Sequence, residues 1–331
     1  MPSLPNAADE GMWHAWDGTP AGLDGRTVAM MTRRSFLAAA ASGAVLGAGL
    51  LAGCAGPVRV SGADGAAAGG PTREADIVPP AEPMRGEVTP GTETYRGFTL
   101  DNVLHSEAEG DIHFNLLVPE SYDEVGKAAL FVTLPGYQGL YFQGVGGNIQ
   151  TEDFAFEAQA YDSGMIIAAP QLSDWGEASA RQTIALVKHL IGSYAIDEKR
   201  VFLEGYSGGG ETLSLVMGIE PGLFCAALFC SSQWDGDLSV LADARVPVYL
   251  VIGESDEYYG SEPAREAYAE LAGIYRSRGL PEDEVARLAT LDVKDAGYFQ
   301  RGGVTNQHGG GGALFCRDPA VMGWLFGAEG A

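Results

Sequence analysis

A serine stands at the centre of the motif Gly205-Tyr206-Ser207-Gly208-Gly209, which has the spacing G-x-S-x-G. The motif follows an apolar run, Val201 to Leu203, and precedes a stretch of helical periodicity. A serine on a tight turn between a strand and a helix projects its hydroxyl away from the sheet, and the flanking glycines let strand and helix approach closely. The pattern predicts a nucleophile at Ser207, and a purely structural glycine-rich turn remains the alternative.

A serine hydroxyl is a poor nucleophile until a base accepts its proton. The chain has five histidines, and only His308 follows Ser207. Where a nucleophile stands on such a turn, the order along the chain is serine, acid, histidine, which selects His308 as the base. We expect a flexible loop there because four glycines, Gly309 to Gly312, come next. The excluded histidines are His14, His105, His113 and His189.

The acid that orients the imidazole is expected after the apolar strand Val246 to Ile252. The segment that follows, Gly253-Glu254-Ser255-Asp256-Glu257, offers three carboxylates. We predict Asp256, because the chain must leave the strand before a carboxylate can turn back toward the imidazole. Glu254 and Glu257 remain alternatives.

A developing oxyanion needs two backbone amides. One is expected from Gly208, the residue after the nucleophile, and the other from the loop that follows the apolar strand ending at Leu134. In that loop, Pro135-Gly136-Tyr137-Gln138-Gly139, the amide of Tyr137 is the candidate. The loop can also be read as a structural turn.

Aromatic side chains are frequent in the loops that carry these residues. They are expected either to line a pocket for an apolar or ring-bearing substrate group or to pack the loops together, and the sequence does not separate the two interpretations. The residues are Tyr137, Tyr141, Phe142, Trp175, Trp234, Tyr258 and Tyr259.

Strands alternate with helices from about residue 93 onward, which predicts an α/β domain with a mostly parallel sheet of about eight strands and helices on both faces. The short connection from Ser231 to Val246 leaves no room for a large lid. Predicted strands are 94–104, 111–118, 128–134, 165–170, 201–203, 223–231, 246–252 and 291–293. Predicted helices are 149–161, 178–194, 208–217, 263–279 and 319–326.

The net charge of −24 argues against binding to nucleic acid or to anionic lipid head groups. No Cys or His spacing resembles a metal site, so no metal is expected. Cys225, Cys230 and Cys316 are expected mainly as buried thiols, with a disulfide from Cys316 to one of the other two left open.

The first 92 residues look like an export signal and a tether. Arg33 and Arg34 precede an apolar stretch that ends in Leu51-Ala52-Gly53-Cys54, an arrangement similar to a twin-arginine signal followed by a bacterial lipobox. Residues 1–53 are therefore expected to be an extension and signal, with lipid attached to Cys54 at the outer face of a bacterial membrane. A plain transmembrane anchor is the alternative, and Met30 or Met31 is a plausible start. Residues 54–92, rich in Gly, Ala and Pro, predict a flexible tether.

Residues 93 to about 328 resemble the α/β-hydrolase superfamily, on the basis of Gly205-Tyr-Ser-Gly-Gly209, Gly253-x-x-Asp256 and His308. The catalytic domain is predicted over residues 93–331. Within this superfamily the chain is similar to the prolyl-oligopeptidase-like and secreted esterase branches, including polyester depolymerases and feruloyl esterases. The resemblance implies a single domain that hydrolyses an ester or peptide bond of a small-molecule or peptide substrate through an acyl-enzyme, without a cofactor. The chain offers no sequence for the N-terminal propeller of prolyl oligopeptidases, and its histidine segment is unusually rich in glycine.

Two other functions remain open at this point. An acyltransferase would use the same residues with an alcohol other than water as the acceptor, and a non-catalytic lipoprotein would bind a ligand in an inherited cleft. The sequence does not identify the substrate, the scissile bond or the oligomeric state.

Overall fold

The computed structural model describes residues 86–122 and 126–327, all of which belong to one compact unit, Ile77–Ala331. The predicted signal, the predicted lipid-attachment residue Cys54 and the predicted tether up to residue 85 lie outside the described residues. The last part of the predicted tether contains a strand, Glu87–Thr89, which pairs with the sheet. The ordered sheet therefore begins before residue 93.

The core of the unit is a sheet of ten strands in the order β1-β3-β4-β6-β5-β7-β8-β9-β10, with β2 paired to β3. Strands β5 to β10 pair in parallel, and the pairs that involve β1 to β4 are antiparallel. The strands are β1 Glu87–Thr89, β2 Glu93–Tyr95, β3 Phe98–Ser106, β4 Gly110–Leu117, β5 Ala128–Leu134, β6 Ile166–Pro170, β7 Ile196–Tyr206, β8 Ala226–Cys230, β9 Val248–Gly253 and β10 Ala289–Lys294.

Helices cover both faces of this sheet. One face packs against α3 to α7 and the other against α1, α2 and α8 to α10. The helices are α1 Gly147–Thr151, α2 Phe154–Ala158, α3 Glu177–Ser193, α4 Gly208–Ile219, α5 Leu238–Ala244, α6 Glu262–Ser277, α7 Glu282–Leu288, α8 Ala296–Arg301, α9 Gln307–Phe315 and α10 Pro319–Gly327.

The predicted α/β architecture is confirmed, but two strands were missed. The predicted strand 94–104 is divided by a turn at Arg96 and Gly97, whose φ angles are 46° and 92°; a strand cannot continue through such positive φ values. The other additional strand is Glu87–Thr89 in the expected tether. The central strand β5 is buried along nearly all its length, which explains its unbroken apolar sequence.

Two helix predictions were also wrong. The predicted helix 149–161 is two short helices, α1 and α2, because Glu152 adopts an extended backbone with φ −133° and ψ 133°. The segment after residue 306, expected as a flexible loop, forms helix α9. Between β8 and β9 the described chain contains only short connections and α5, so the prediction of no large lid holds there.

Cys230 and Cys316 are buried free thiols, and Cys225 is half-buried. Burial raises the pKa of the Cys316 thiol to about 12, which disfavours the reactive thiolate. Among the described helices, none has both the length and the hydropathy that a bilayer crossing requires.

The turn from β7 into α4 requires glycine where backbone segments meet. A Cβ on Gly205 would lie 2.3 Å from the carbonyl oxygen of Gly209, and a Cβ on Gly209 would lie 2.3 Å from that of Leu134. Both contacts are far shorter than van der Waals distance, and the opposing atoms belong to the backbone. Packing therefore requires glycine at both positions, because a larger side chain would clash with backbone atoms.

We predict that Gly205→Ala destabilises the protein by about 1–3 kcal/mol, because backbone must move to admit the methyl group. The measurement is the urea midpoint of unfolding followed by circular dichroism. Gly222→Ala is the matched control, since nothing lies within 4 Å of its Cβ position, and its midpoint should stay close to wild type. Equal midpoints for Gly205→Ala and wild type would contradict the packing argument.

Candidate active site

Ser207 occupies the strained turn at the carboxyl end of β7. Its φ of 56° and ψ of −125° lie in a region that non-glycine residues rarely adopt. The turn is held from both sides, because the Ser207 amide donates to the carbonyl of Cys230 at 3.0 Å and the Ser232 hydroxyl donates to the Ser207 carbonyl at 2.6 Å. The neighbouring strand β8 thus fixes the backbone that presents the hydroxyl.

His308 lies between the serine and a buried carboxylate. Its Nε2 is 3.0 Å from Ser207 Oγ, and its Nδ1 is 2.9 Å from Asp256 Oδ2. The side chain of Asp256 is fully buried, whereas that of His308 retains 18% exposure. A proton can therefore pass from the hydroxyl to Nε2 while the carboxylate holds the opposite nitrogen.

The structure separates the three acid candidates. Besides His308, Asp256 accepts hydrogen bonds through Oδ1 from the amides of Tyr258 and Tyr259 at 3.0 and 2.9 Å, so the turn after β9 points its carboxylate inward. Glu257 instead accepts from the backbone amide of His308 at 2.9 Å. Glu254 is exposed. Only Asp256 contacts the imidazole among the three.

Helix α9 positions His308, and sequence reasoning missed the residues that hold it. The Tyr206 hydroxyl donates to the His308 carbonyl and accepts from the Gly312 amide, and the Tyr206 and His308 rings stack with centroids 5.8 Å apart. Gln307 Oε1 accepts from the Ser255 amide at 2.8 Å, which ties the helix to the acid turn. The motif leaves the residue before the serine unspecified, so it gave no signal for Tyr206.

Glycines allow α9 to form against this surface. A Cβ on Gly310 would lie 2.1 Å from Val304 Cγ1, and one on Gly312 would lie 3.4 Å from the Tyr206 ring. The Asn306 side chain caps the helix by accepting from the Gly309 amide. Glycine residues intrinsically disfavour a helix. In α9, close packing and capping offset this effect.

Both candidate oxyanion amides belong to segments beside the nucleophile. Gly208 is the first residue of α4, and Tyr137 is the first residue of a single 3₁₀ turn, Tyr137–Gly139. Amides at helix starts have no acceptor within their own helix. Gly136 brings the Tyr137 segment close, because a Cβ on Gly136 would lie 3.5 Å from Ser207 Cβ. The arrangement can supply two donors to one oxygen.

Aromatic rings flank the nucleophile on two sides. On one side the Tyr137 ring lies 5.7 Å from Phe142 and 6.3 Å from Trp175, and a Cβ on Gly208 would lie 2.9 Å from the Trp175 ring. On the other side the Tyr258 ring stacks on His308 with centroids 5.3 Å apart. Tyr137, Phe142 and Tyr258 are 43%, 61% and 70% exposed, so these rings are available to a ligand.

The other three aromatic residues make packing contacts. Tyr259 lies edge-on to the His308 ring, with centroids 5.5 Å apart, and its hydroxyl donates to Glu211 Oε1 at 2.7 Å. The Tyr141 ring stacks on His113 with centroids 4.0 Å apart. Trp234 packs on Phe229 at 5.4 Å and donates from Nε1 to the Gly236 carbonyl at 3.1 Å. These contacts fit the interpretation in which aromatic residues hold loops together.

Sequence reasoning also missed two carboxyls near the nucleophile, the buried Glu204 and the half-buried Glu152. Desolvation raises the pKa of Glu152 to about 8, against a hydrogen bond from the Gly136 amide that lowers it. Burial, and then the nearby Glu152, raise the pKa of Glu204 well above its usual value. The sequence signal for Glu204 was the presence of a glutamate within the apolar run of β7. Among the described residues, no group of His, Cys, Asp and Glu side chains is arranged to hold a metal ion.

The sequence model of the prolyl oligopeptidase family matches residues 171–271. This segment includes Ser207 and Asp256 and ends before His308. No curated protein matches the sequence.

Solved structures resemble the described fold. A thermostable esterase is 21% identical, with a TM-score of 0.56 over 70% of this chain and 62% of the esterase, so this chain spans less than two thirds of that protein. LpqC, a poly(3-hydroxybutyrate) depolymerase from Bordetella parapertussis, is 17% identical over 70% of this chain and 95% of its own, with a TM-score of 0.48. Est1E from Butyrivibrio proteoclasticus is 13% identical over 70% and 98%, also with a TM-score of 0.48.

The likeness to the thermostable esterase confirms the predicted α/β-hydrolase fold. The family match to residues 171–271 supports a hydrolase in general terms.

We predict that Asp256→Asn lowers kcat for a p-nitrophenyl ester by about 10³–10⁴, because the amide favours the wrong imidazole tautomer. Glu254→Gln should leave kcat near wild type, and Glu257→Gln should have a small effect through the His308 backbone. Steady-state kinetics of the three purified variants make the comparison. A loss in Glu257→Gln as large as that in Asp256→Asn would assign the acid to Glu257.

Proposed function

We propose that this protein is a serine hydrolase that cleaves a carboxylic ester through an acyl-enzyme. The observation that carries the proposal is the continuous chain from Ser207 Oγ through His308 to the buried Asp256, with contacts of 3.0 and 2.9 Å. The strained backbone of Ser207 adds support, because such geometry is retained where the turn presents a nucleophile.

The mechanism follows from the positions of these groups. Ser207 Oγ attacks the carbonyl carbon as its proton moves to His308 Nε2, and Asp256 stabilises the imidazolium. The negative charge on the carbonyl oxygen is met by the amides of Gly208 and Tyr137. His308 then gives the proton to the leaving alcohol, and the acyl-enzyme forms. Water repeats the two steps in the second half and releases the acid.

The aromatic surroundings favour a substrate with an apolar or ring-bearing group. Tyr137, Phe142 and Trp175 form one continuous surface beside the Gly208 amide. Exposed rings gain free energy when they bury against an apolar ligand.

A peptide bond is the second candidate. It is favoured by the match of residues 171–271 to the prolyl oligopeptidase family, whereas the thermostable esterase, with its TM-score of 0.56, favours an ester. An ester is the easier bond because its alkoxide leaves more readily than an amine. Parallel assays with p-nitrophenyl esters and peptide p-nitroanilides separate the two candidates.

Export and lipid anchoring form a separate part of the proposal. Arg33 and Arg34, the apolar stretch and Leu51-Ala52-Gly53-Cys54 have the order of a twin-arginine lipoprotein signal. The hydrolase domain would then stand at the outer face of a bacterial membrane, attached through Cys54.

We predict that Ser207→Ala abolishes turnover of a short-chain p-nitrophenyl ester and labelling by a fluorophosphonate probe, because the attacking oxygen is lost. Thr212→Ala, which removes a hydroxyl from the body of α4, is the control and should be labelled normally. Persistent labelling or turnover in Ser207→Ala would overturn the assignment.

Among p-nitrophenyl esters with different acyl groups, the wild-type enzyme should hydrolyse aromatic esters faster than acetyl esters. Phe142→Ala should reduce that preference.

We predict that Cys54→Ala prevents incorporation of radiolabelled palmitate when the full chain is expressed in a bacterium with the lipoprotein pathway. The variant should leave the membrane fraction, because the acyl chains provide the attachment. Cys225→Ala serves as the control and should keep the label. An unlabelled wild-type chain, or a Cys54→Ala chain that stays membrane-bound, would contradict lipid anchoring.

A further inference from the structure

Two carboxyls lie close to the nucleophilic turn, Glu204 in β7 and Glu152 at the junction of α1 and α2. Glu204 is fully buried in β7, where its Oε2 accepts from Thr133 Oγ1 at 2.6 Å. Its Oε1 has no hydrogen-bond partner among the described residues. A buried ionised carboxylate with one oxygen unsatisfied is costly, and the neutral acid is the favoured form.

Glu152 approaches from the junction of α1 and α2 and reaches under the oxyanion loop. A Cβ on Gly136 would lie 2.8 Å from Glu152 Oε1 and 3.5 Å from Ser207 Cβ, so the carboxyl and the nucleophile flank the same glycine. The Gly136 amide donates to the Glu152 carboxyl. Gly136 immediately precedes Tyr137, whose amide is a candidate oxyanion donor. Glu152 therefore fixes the peptide that leads into that donor.

The groups that face Glu152 are mostly acids. A negative charge on Glu152 raises the pKa values of Glu204 and Tyr206 of β7 and of Cys230 of β8. Beyond Tyr206 lie His308 and Asp256. On the outer side, the nearby arginines are already paired: Arg317 with Asp153 and Glu157, and Arg96 with Asp153. A second negative charge in this region is therefore poorly compensated.

We propose that Glu152 is a positioning residue that works in its neutral form, holding the Gly136 peptide for the Tyr137 amide and keeping negative charge away from the developing oxyanion. The inference rests on the proposed function of Ser207. When Glu152 loses its proton, a carboxylate forms beside the oxyanion that the amides must stabilise, and the transition state is disfavoured.

An alkaline limb in the pH profile follows from this role. Activity falls when Glu152 ionises, and the pKa of Glu152, raised to about 8 by desolvation, sets that limb. One pH unit above this pKa, kcat/KM should be about tenfold below its maximum if only the neutral form is active.

We predict that Glu152→Gln removes the alkaline limb, because the amide keeps an acceptor for Gly136 and cannot ionise. Near neutral pH its kcat/KM should stay well above that of Glu152→Ala, because the Gln side-chain oxygen still accepts from the Gly136 amide. Glu152→Ala removes the acceptor and should lower kcat by about 10–100-fold at every pH with KM little changed, since the misplaced amide matters in the transition state. The measurement is kcat/KM for the ester from acid to alkaline pH, corrected for spontaneous hydrolysis.

Glu157→Gln is the matched control, since it removes the same charge from α2 at a partly exposed position, and it should keep the alkaline limb. A limb that persists unchanged in Glu152→Gln would overturn the proposal. Equal kinetics for Glu152→Ala and Glu152→Gln would overturn the positioning role.

A second readout does not need activity. The pKa of Glu152 is raised to about 8 in the native protein, whereas in the unfolded chain it is near 4.5. Between these values the free energy of unfolding should fall as pH rises, because the native state binds more protons than the unfolded state. Thermal unfolding of Ser207→Ala with and without Glu152→Gln should show a flatter pH dependence in the double variant. Parallel curves would refute a neutral Glu152 even if wild type hydrolyses no ester.

Discussion

The close approach of three backbone segments around the β7–α4 turn is the constraint on which the site depends. Gly205 faces the Gly209 carbonyl and Gly209 faces the Leu134 carbonyl, so the nucleophile strand, its helix and the end of β5 meet without side chains between them. The same contact brings the oxyanion loop after β5 to Ser207. One packing requirement thus positions both the nucleophile, with its positive φ, and the segment that stabilises negative charge.

The buried acids of the site differ in what satisfies them. Asp256 receives three donors, from His308 Nδ1 and from the amides of Tyr258 and Tyr259. Glu204 receives one and leaves an oxygen without a hydrogen-bond partner among the described residues. Because its burial is not offset by donors, the pKa of Glu204 is raised well above its usual value and the neutral acid is favoured.

Helix α9 links these parts into one unit. Tyr206 contacts its first and second turns, Gln307 bonds to the acid turn, and Glu257 bonds to the His308 amide. The histidine is held by groups from β7 and from the turn after β9, so its place depends on tertiary contacts more than on the intrinsic stability of a glycine-rich helix. The aromatic surface over Gly208 stands apart from this framework and remains exposed to solvent.

Local patterns in the sequence determined the strand and helix alternation, the strand-to-helix turn at Ser207 and, by elimination, the choice of His308, because apolar periodicity and motif spacing act over few residues. Tertiary structure decided what involved distant contacts. Packing against Tyr206 turned an expected loop into α9, and an extended Glu152 divided an expected helix in order to reach Gly136. The sequence favoured Asp256 as the acid but left Glu254 and Glu257 as alternatives. The turn after β9 gives Asp256 to the imidazole and Glu257 to the His308 backbone amide. Which buried acid meets which donor depends on residues far apart in the chain, and no local pattern encodes it.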